Sequence, residues 1–532
     1  MLVKELYEDD GPRTGLGEPE PEADPYKYQT GFGNHHVTEA IPGALPRNGT
    51  NLPQKSRYGL YAEHLNGTSF ISSRESASNV WMYRQRPAAA HSPLKQAERP
   101  FPIEACFLAT NPNVAFTPLA HTWGPITVPE GKKNITFVQG LNTVGGHGDA
   151  TLKEGLAVHQ YAFNADMHRE AFVDNDGDLL LVPQCGPLDI KTELGNLCVK
   201  PGVVAVIPAG IRFSVSIIAP DVTGLDNSNG LKELDLNRQA TGYALEIFGS
   251  HYELPDLGVL GANGLAHVRD FEYPVAAFDV EAANISPLAP WEITVKLSGR
   301  LFSYSQPHTP FDVVAWHGKY APFRYELSRF SHLTANTDQL DPTAFCVLRA
   351  PSKWPGVSLV DFCIFGEKWV VAQDTLRIPY YHRTMATEIC GIIEGEYPGS
   401  VRPLEAGGLS FEQSYMPHGE TYEAHMHATE ATQAPVKVSH DYLAFMFHIS
   451  SHVALTQWAT GKHPDIRPEC LKLWDNLQSH FFDHIDEIDS QLLRAGMPAL
   501  EHPQPIPDGV LLSSPSIEKA SSTPDNMIVD LV

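Results

Sequence analysis

The stretch that decides the fold runs from Leu179 to Ile217 and reads LLLVPQCGPLDIKTELGNLCVKPGVVAVIPAGIRFSVSI. Five short runs of Leu, Val, Ile and Phe alternate with turn-forming pairs and triplets that contain Pro or Gly. Strands of about five residues separated by such turns are typical of an antiparallel sandwich or barrel. The stretch therefore predicts a mainly β protein.

Two phrases inside this stretch, Val199-Lys200-Pro201-Gly202 and Val206–Phe213, resemble the cupin barrel. In metal-binding cupins a histidine follows the second Pro-x-Gly three residues on, and here that position is Phe213. No His-x-His precedes it. We therefore expect this first barrel to be a packed scaffold without metal.

Other elements are predicted from the same patterns. A helix is expected from about Glu420 to Thr432, and an amphipathic helix, continuous or interrupted, from Pro468 to about Arg494. Residues 26–99 read as irregular structure with short strands, and residues 225–240 as a surface insertion. Short apolar runs predict further strands at Tyr243–Phe248, Thr294–Lys296, Phe311–Trp316, Phe345–Leu348, Val357–Ile364, Lys368–Ala372 and Tyr442–Phe447.

The composition predicts a globular protein of the cytoplasm. Hydrophobic residues make up 42% of the chain and charged residues 19%, and the formal net charge of −25 argues against nucleic acid or an anionic membrane as a partner. No apolar run approaches the roughly 18 residues of a membrane span, and the start lacks a signal-peptide pattern. Seven scattered cysteines suit a reducing compartment. Residues 1–24 predict a disordered acidic tail, and residues 501–532 a flexible one.

The segment from Pro379 to Gly419 carries the strongest candidate for a metal site. His382, Glu388 and His418 offer two imidazoles and one carboxylate, the ligand set of mononuclear non-haem iron oxygenases. In a straight strand His382 and Glu388 would lie roughly 20 Å apart, and in a helix they would point in different directions about 9 Å apart. They can share a metal only if the chain bends between them. Ordinary buried or surface histidines are the competing interpretation.

Other histidines compete for the role of metal ligand. His425 and His427, with Glu430, approach a His-x-His…Glu pattern, but on the predicted helix their side chains would diverge by about 200°. His480 and His484 would lie one turn apart and nearly spell a zinc-protease motif, inside a helix that packing already explains.

His317 ends an apolar run at a glycine, where a strand delivers a side chain to the rim of a pocket. A hydrogen-bonded histidine at the end of a strand is the structural alternative. On the residues alone both interpretations stay open.

Taken together, long and unusual motifs in a fixed order resemble the homogentisate 1,2-dioxygenase family. The resemblance covers about Asp24 to Gln491, most of the chain. The motifs are Tyr28–Asn34, Tyr58–Glu63, Trp81–Arg84, Leu254–Gly258, Gly261–Ala266, Val313–Gly318, Pro379–Arg383 and Pro417–Gly419.

The resemblance implies a cupin-like double barrel, or bicupin, with peripheral helices. We place an N-terminal β domain, with the metal-free barrel, at residues 25–310 and an iron-binding domain at residues 311–500. The resemblance further implies Fe(II) held by His382, Glu388 and His418. It also implies a general base at His317 and substrate contacts from Tyr397 and His418. The implied partners are a small aromatic substrate and O2, in a hexamer built as a dimer of trimers.

The reaction that the resemblance implies is the ring cleavage of homogentisate by O2 to 4-maleylacetoacetate, in tyrosine and phenylalanine catabolism. Three residues depart from the family's usual pattern: Glu412, Glu420 and His448. Such changes beside a metal site tune orientation and substrate choice more than metal identity. Two alternatives therefore stay open, a dioxygenase for another 2,5-dihydroxyaryl acid such as gentisate, and a non-catalytic bicupin that binds or stores a ligand.

Overall fold

A computed structural model of the chain describes residues 24–47, 55–97, 103–218, 238–256, 265–279, 289–332, 342–397, 404–439, 441–467 and 474–500. Within these ranges the chain consists mainly of antiparallel strands with a few short helices. The predicted mainly β fold class with peripheral helices is confirmed. Residues up to Asp475 form one compact unit, and those from Asn476 onward belong to a second.

Strands and helices are numbered in chain order. Up to residue 326 the strands are β1 (Tyr28–Thr30), β2 (His36–Glu39), β3 (Tyr61–Asn66), β4 (Asn79–Arg84), β5 (Lys95–Gln96), β6 (Val114–Ala115), β7 (His121–Trp123), β8 (Leu141–Asp149), β9 (Glu154–Phe163), β10 (Glu170–Asp174), β11 (Gly177–Cys185), β12 (Leu188–Thr192), β13 (Gly195–Val199), β14 (Val203–Ile207), β15 (Arg212–Ile217), β16 (Ala240–Phe248), β17 (Phe271–Pro274), β18 (Trp291–Leu297), β19 (Arg300–Gln306), β20 (Val313–Gly318) and β21 (Phe323–Glu326). The later strands are β22 (Cys346–Pro351), β23 (Ser358–Phe365), β24 (Lys368–Val370), β25 (Thr387–Glu394), β26 (Glu396–Tyr397), β27 (Leu404–Glu405), β28 (Leu409–Glu412), β29 (Val436–Val438), β30 (Leu443–Ile449) and β31 (Ala454–Thr456). The α-helices are α1 (Phe137–Gly140), α2 (Tyr422–Glu430), α3 (Gln457–Gly461) and α4 (Ile485–Arg494).

Two sheets build the first barrel around the stretch that was expected to decide the fold. The five predicted runs form β11 to β15, which confirms the prediction. Strands β11 and β14 lie in a ten-stranded sheet, whereas β12, β13 and β15 lie in a seven-stranded one. Their buried side chains belong to one core, in which Phe213 packs against Phe172 and Phe137 at ring-centroid distances of 5.6 and 6.1 Å. A large aromatic side chain therefore fills the position where metal-binding cupins carry a histidine.

A six-stranded sheet in the order β22-β23-β30-β25-β28-β7 carries the second half of the fold. Alternate side chains of β25 and β30 point to opposite faces, because successive residues of a strand do so. Ile389 and Phe447 are buried in the main core, whereas Glu388 and His448, one residue along, lie on the other face and are half-buried. The polar face of this sheet is where the candidate metal ligands gather.

The two halves exchange strands. β7 precedes the first barrel in sequence but pairs with β28 in the six-stranded sheet, and β31 follows that sheet but pairs with β8 in the ten-stranded one. The indole of Trp123 on β7 is fully buried and donates a hydrogen bond to the Ala459 carbonyl at 2.8 Å. The domain boundary at residue 310 stays a prediction. Beyond it, β20 still pairs with β2 and β4, and β21 with β14 and β17.

The predicted strands after the first barrel are found at β16, β18, β20, β22, β23, β24 and β30. The helix predicted over 420–432 is found as α2. The prediction of an amphipathic helix from Pro468 to about Arg494 is wrong in its first part. Residues 477–480 are not helical, Phe481–His484 form a 3-10 helix, and α4 begins only at Ile485. Phe481 and Phe482 are 54% and 46% exposed, so the apolar spacing there does not mark a buried helical stripe.

Several predictions fall wholly or partly outside the described residues: both tails except Asp24, residues 468–473 of the predicted helix, and the insertion up to residue 237. Ala240, at the end of that insertion, already belongs to β16. Within the described part of the chain, no helix is long and apolar enough to span a membrane. The six cysteines described there are free thiols.

Candidate metal centre

Glu388 lies near the start of β25, between the neighbouring strands β28 and β30. The alternation of the strand buries Thr387 and Ile389 and leaves Glu388 half-buried on the opposite face. The carboxylate is therefore held by a central strand of the sheet, which fixes its direction.

His382 and His418 are brought together by a short antiparallel bridge outside the named strands. The amide of His382 donates to the carbonyl of His418 at 3.0 Å, and the amide of His418 donates to the carbonyl of His382 at 3.1 Å. The imidazole rings lie 4.3 Å apart, centroid to centroid. Between this bridge and Glu388 the chain turns back, so the bend that a shared metal requires is present.

The donor atoms of the three side chains converge. The Nε2 atom of His382 lies 3.4 Å from Oε1 of Glu388, and the Nε2 atom of His418 lies 3.3 Å from Oε2. One ligand atom from each residue lies within 4.8 Å of the others. These are the distances of a compact three-ligand set.

Backbone carbonyls fix the tautomer of both rings. The Nδ1 atom of His382 lies 2.8 Å from the Tyr380 carbonyl, and that of His418 lies 3.0 Å from the Met416 carbonyl. A carbonyl only accepts hydrogen bonds, so Nδ1 carries a proton, and Nε2 is the nitrogen atom that can bind a metal in exchange for its own proton. Metal-binding histidines are oriented by such partners. The donor set and its support therefore fit a divalent iron ion.

The charges in the centre are coupled without a metal. Burial opposes the charge of Glu388, but the hydrogen bonds from His382 and His418 outweigh it and lower its pKa to about 2. The hydrogen bond with Glu388 is the main reason that the pKa of His382 is raised. Burial would lower the pKa of His418, but its hydrogen bond with Glu388 raises it. A metal cation that binds to these side chains must displace their protons.

Two of the residues that depart from the family's pattern flank Glu388 directly. Glu412 on β28 lies opposite it on one side, and His448 on β30 lies opposite it on the other. Burial, with a contribution from the charge of Glu388, raises the pKa of Glu412 to about 7. His448 Nδ1 lies 3.5 Å from Asp361 Oδ2 on the next strand. A row of polar side chains thus crosses the sheet beside the candidate ligand.

The third departing residue, Glu420, is bonded to Tyr397. The Tyr397 hydroxyl donates to Oε1 of Glu420 at 2.5 Å, and its ring packs edge-on against Tyr442. Burial and the neighbouring carboxylate raise the pKa of Tyr397, so it stays protonated. The predicted substrate contact is therefore engaged with a carboxylate of the same chain.

His317 lies in another cluster, on the four-stranded sheet of β2, β20, β4 and β3. Its Nδ1 atom lies 3.1 Å from Nε2 of His35, and its Nε2 atom lies 3.4 Å from the Tyr83 hydroxyl. Burial, aided by the charges of His35 and His64, lowers the pKa of His317. Among the described residues, no hydrogen bond or ring contact joins this cluster to His382, Glu388 or His418. The role of His317 stays a prediction.

The competing histidine pairs do not form ligand sets among the described residues. His425 and His427 lie on α2, as the helical interpretation expects. For His480 and His484 the sequence already favoured packing over a zinc site. They do not stand one helical turn apart, because His480 precedes the 3-10 helix with non-helical backbone angles, and its Nδ1 atom lies 3.1 Å from Oδ2 of Asp483.

Sequence analysis missed a second convergence of carboxylates, inside the first barrel. One oxygen each from Asp174, Asp176 and Glu246 lies within 4.8 Å of the others, and all three residues are buried. The Lys296 ammonium lies between them, 2.8 Å from Asp176, 2.5 Å from Glu246 and 3.6 Å from Asp174. A signal was available for Glu246, which stands between Leu245 and Ile247 in a mainly apolar strand. Lys296 gave none, because it alternates with apolar residues in the same way as Glu292 and Thr294 of its strand. Charged residues in buried strands are paired almost without exception.

Fold and centre together define a class: a mainly β protein with a half-buried centre of two histidines and one carboxylate. Comparison with known families shows to which family within this class the chain belongs. The model for the N-terminal part of homogentisate 1,2-dioxygenase matches residues 27–327, and the model for the C-terminal part matches residues 328–481. The chain therefore belongs to the homogentisate 1,2-dioxygenase family.

Similar proteins named homogentisate 1,2-dioxygenase come from distant organisms. The chain is 40% identical to the one from Caenorhabditis elegans, over 86% of this chain and 99% of that protein. It is 39% identical to the one from Emericella nidulans (86% and 97% covered) and 41% identical to the one from Arabidopsis thaliana (88% and 95% covered). Among solved structures, the overlap with a point mutant of oxalate decarboxylase from Bacillus subtilis is weak, with 11% identity, a TM-score of 0.23, and 62% of this chain and 81% of that chain covered.

Proposed function

We propose that this chain is an Fe(II)-dependent dioxygenase that opens the ring of a 2,5-dihydroxyaryl compound. The observation that carries the proposal is the convergence of His382, Glu388 and His418, with both imidazole Nδ1 atoms bonded to backbone carbonyls and both Nε2 atoms turned toward the carboxylate. Homogentisate is the first substrate to test, because the similar proteins are named homogentisate 1,2-dioxygenase. Its expected product with O2 is 4-maleylacetoacetate, a step of tyrosine and phenylalanine catabolism.

A ferrous ion in this centre would supply neighbouring coordination positions at which a diol and O2 meet. The protein's part is orientation and proton transfer. The carbonyls of Tyr380 and Met416 hold the two imidazole rings in place, and the central strand β25 holds Glu388. The half-buried setting excludes part of the solvent and strengthens every charge interaction in the centre.

We assign His317 the role of general base. Its lowered pKa keeps the imidazole neutral near pH 7, so it can accept a proton from a phenolic hydroxyl. His35 and Tyr83 hold the ring from both nitrogen atoms. Tyr397 and His418 are the proposed substrate contacts, and on the family resemblance we propose a cytoplasmic hexamer built as a dimer of trimers.

A second candidate substrate is another 2,5-dihydroxyaryl acid such as gentisate. The observation that favours a change of substrate is the position of Glu412 and His448 on both sides of Glu388, together with Glu420 on Tyr397. All three residues touch the surroundings of the metal centre and leave the ligand set intact.

The test is oxygen uptake by protein purified without oxygen and loaded with Fe(II). We expect uptake with homogentisate or gentisate, and its loss together with the bound iron in His382→Ala. His427→Ala, which changes an exposed histidine on α2, is the matched control and should keep both. Full iron occupancy without uptake on any 2,5-dihydroxyaryl ring would refute the proposal.

A further inference from the structure

Gly419 directly follows the candidate ligand His418, and its surroundings explain why a glycine stands there. Its φ angle is not positive, so the backbone conformation alone does not require glycine. The available space does require it, because a Cβ atom at this position would lie 2.4 Å from Cδ1 of Tyr381 and 3.1 Å from the Tyr381 Cα. Carbon atoms in contact prefer a separation of about 3.5–4.0 Å. Glycine therefore allows the Tyr381 ring to lie directly against the backbone beside a candidate ligand.

The contact between Tyr381 and Gly419 joins the two segments that carry the histidines. Tyr381 directly precedes His382, and Gly419 directly follows His418. The contact therefore lies next to the backbone bridge between His382 and His418 and extends it by one residue. The Tyr381 ring also lies near the ring of His425 on α2, at a centroid distance of 5.8 Å. The Tyr381 side chain is 42% exposed, so its contacts serve this junction more than a buried core.

Trp474 holds the same glycine by its carbonyl group. Its indole N–H, the only donor of a tryptophan side chain, donates to the Gly419 carbonyl oxygen at 3.0 Å. Trp474 is half-buried and lies 55 positions further along the chain. Gly419 is therefore held by an aromatic ring on its Cα side and by a hydrogen bond at its carbonyl oxygen.

The position of His418 depends on its neighbours on both sides. Before it, the Met416 carbonyl orients the imidazole through Nδ1. After it, the tyrosine ring and the indole hold Gly419. The Nε2 atom of His418 lies 3.3 Å from Oε2 of Glu388, and a binding constellation tolerates displacements of only about 0.5 Å. A shift of Gly419 that carried His418 along would therefore separate the ligands.

We propose that Tyr381 and Trp474 are positioning residues of the metal centre: they hold Gly419, and through it they keep His418 within reach of the iron ion. The inference rests on the metal of the proposed function and not on its substrate. Tyr381 acts through the carbon atoms of its ring, and Trp474 acts through its N–H group. Both residues set the affinity for iron without contacting it, as residues that orient metal ligands do.

The test measures the Fe(II) affinity of the full chain by competition with a coloured chelator, without oxygen and without substrate. Tyr381→Ala and Trp474→Phe should each weaken Fe(II) binding about 10- to 100-fold, the range for residues that orient metal ligands. Tyr381→Phe keeps the ring and should bind Fe(II) like the native chain. Tyr61→Ala and Trp354→Phe, which change exposed side chains, are the matched controls and should also bind like the native chain.

Two further measurements separate positioning from a general structural role. Urea unfolding of iron-free Trp474→Phe should have a midpoint close to that of the native chain, whereas a loss of stability parallel to the loss of affinity would show a structural role. In the His418→Ala background, Trp474→Phe should cause no further loss of Fe(II) affinity, because the ligand that it positions is absent. In the His382→Ala background the loss should persist.

The outcomes distinguish this inference from the proposed function. Fe(II) affinity is measured without an aromatic ring to open, so absence of oxygen uptake would refute the proposed function and leave this test intact. Tyr381→Ala removes a large side chain, and Trp474→Phe decides the question if that variant fails to fold. Native Fe(II) affinity in Trp474→Phe, or an equal loss in the native and His418→Ala backgrounds, would overturn the inference.

Discussion

Two clusters in the described part of this molecule bring three ligand-type side chains within 4.8 Å of one another, and they differ in what neutralises them. In the first barrel, Asp174, Asp176 and Glu246 surround the ammonium of Lys296, and every member is buried. In the metal centre, the partners of Glu388 are two imidazoles, and all three ligands are half-buried. In the first barrel, the ammonium of Lys296 occupies the place that a metal ion would need. In the metal centre, two imidazole nitrogen atoms and a carboxylate are accessible to a metal ion. Proximity of ligand-type residues therefore identifies a metal site only when no side chain already supplies the positive charge.

The largest effect is expected from removing the internal cation. Lys296→Met leaves three buried carboxylates without their ammonium partner, and breaking a buried ion pair from one side costs about 3–5 kcal/mol. Urea unfolding should show that loss, while Lys132→Met, at an exposed lysine, should unfold like the native chain. If the free energy of unfolding of Lys296→Met lay within about 1 kcal/mol of the native value, the carboxylates would neutralise one another by sharing protons. The contrast between a cluster neutralised by lysine and a metal centre would then be wrong.

The next effect concerns iron affinity. Glu388→Gln should weaken Fe(II) binding by more than the roughly 100-fold that changes outside the ligand set can cause. Glu412→Gln, on the residue opposite, should weaken it by about tenfold or less, since only a neighbouring charge is lost. Competition with a coloured chelator under anaerobic conditions measures both. Equal losses in the two variants would show that Glu388 acts through charge and not as a ligand.

The smallest effect is a pH dependence of the metal-free protein. The pKa of Glu388 falls from its ordinary 4.5 to about 2, so its stabilising contribution is present above about pH 4.5 and is lost as the pH falls toward 2. The pKa values of His382 and His418 are raised above 6.5, so their contribution is present below about pH 6.5 and is lost as the pH rises.

The stability advantage of the native metal-free chain over Glu388→Gln should therefore be greatest between about pH 4.5 and 6.5, by about 1–2 kcal/mol for partly exposed groups. Denaturant unfolding at pH 3, 5.5 and 8 measures it. The Lys296 cluster should show no such pH dependence from its lysine. The carboxylates around Lys296 raise its pKa, so the ammonium stays charged across this pH range. An advantage of the same size at all three pH values would contradict the coupling within the metal centre.

Local patterns were enough to predict the strands of the first barrel, because turns at Gly195, Pro201 and Pro208 interrupt apolar runs at a spacing that only short strands satisfy. The candidate ligands could be chosen by residue type, but their convergence depends on a backbone bridge between His382 and His418, 36 positions apart, which no local pattern encodes. The row of Glu412, Glu388 and His448 needs the register of three strands. The C-terminal helix was overextended because the spacing of apolar residues does not reveal whether anything buries them, and Phe481 and Phe482 stay largely exposed.

The exchange of strands between the two halves bears on how the chain is made. The side chain of Thr456, at the end of β31, donates to the Thr143 carbonyl on β8, 313 residues earlier. During synthesis, the edge of β8 therefore leaves the ribosome long before the segment that will cover it. Pairings this distant in sequence form slowly, because a long loop must close first. The first barrel therefore keeps the edge of β8 unpaired until β31 has been synthesised. An unpaired strand edge is a site at which nascent chains aggregate.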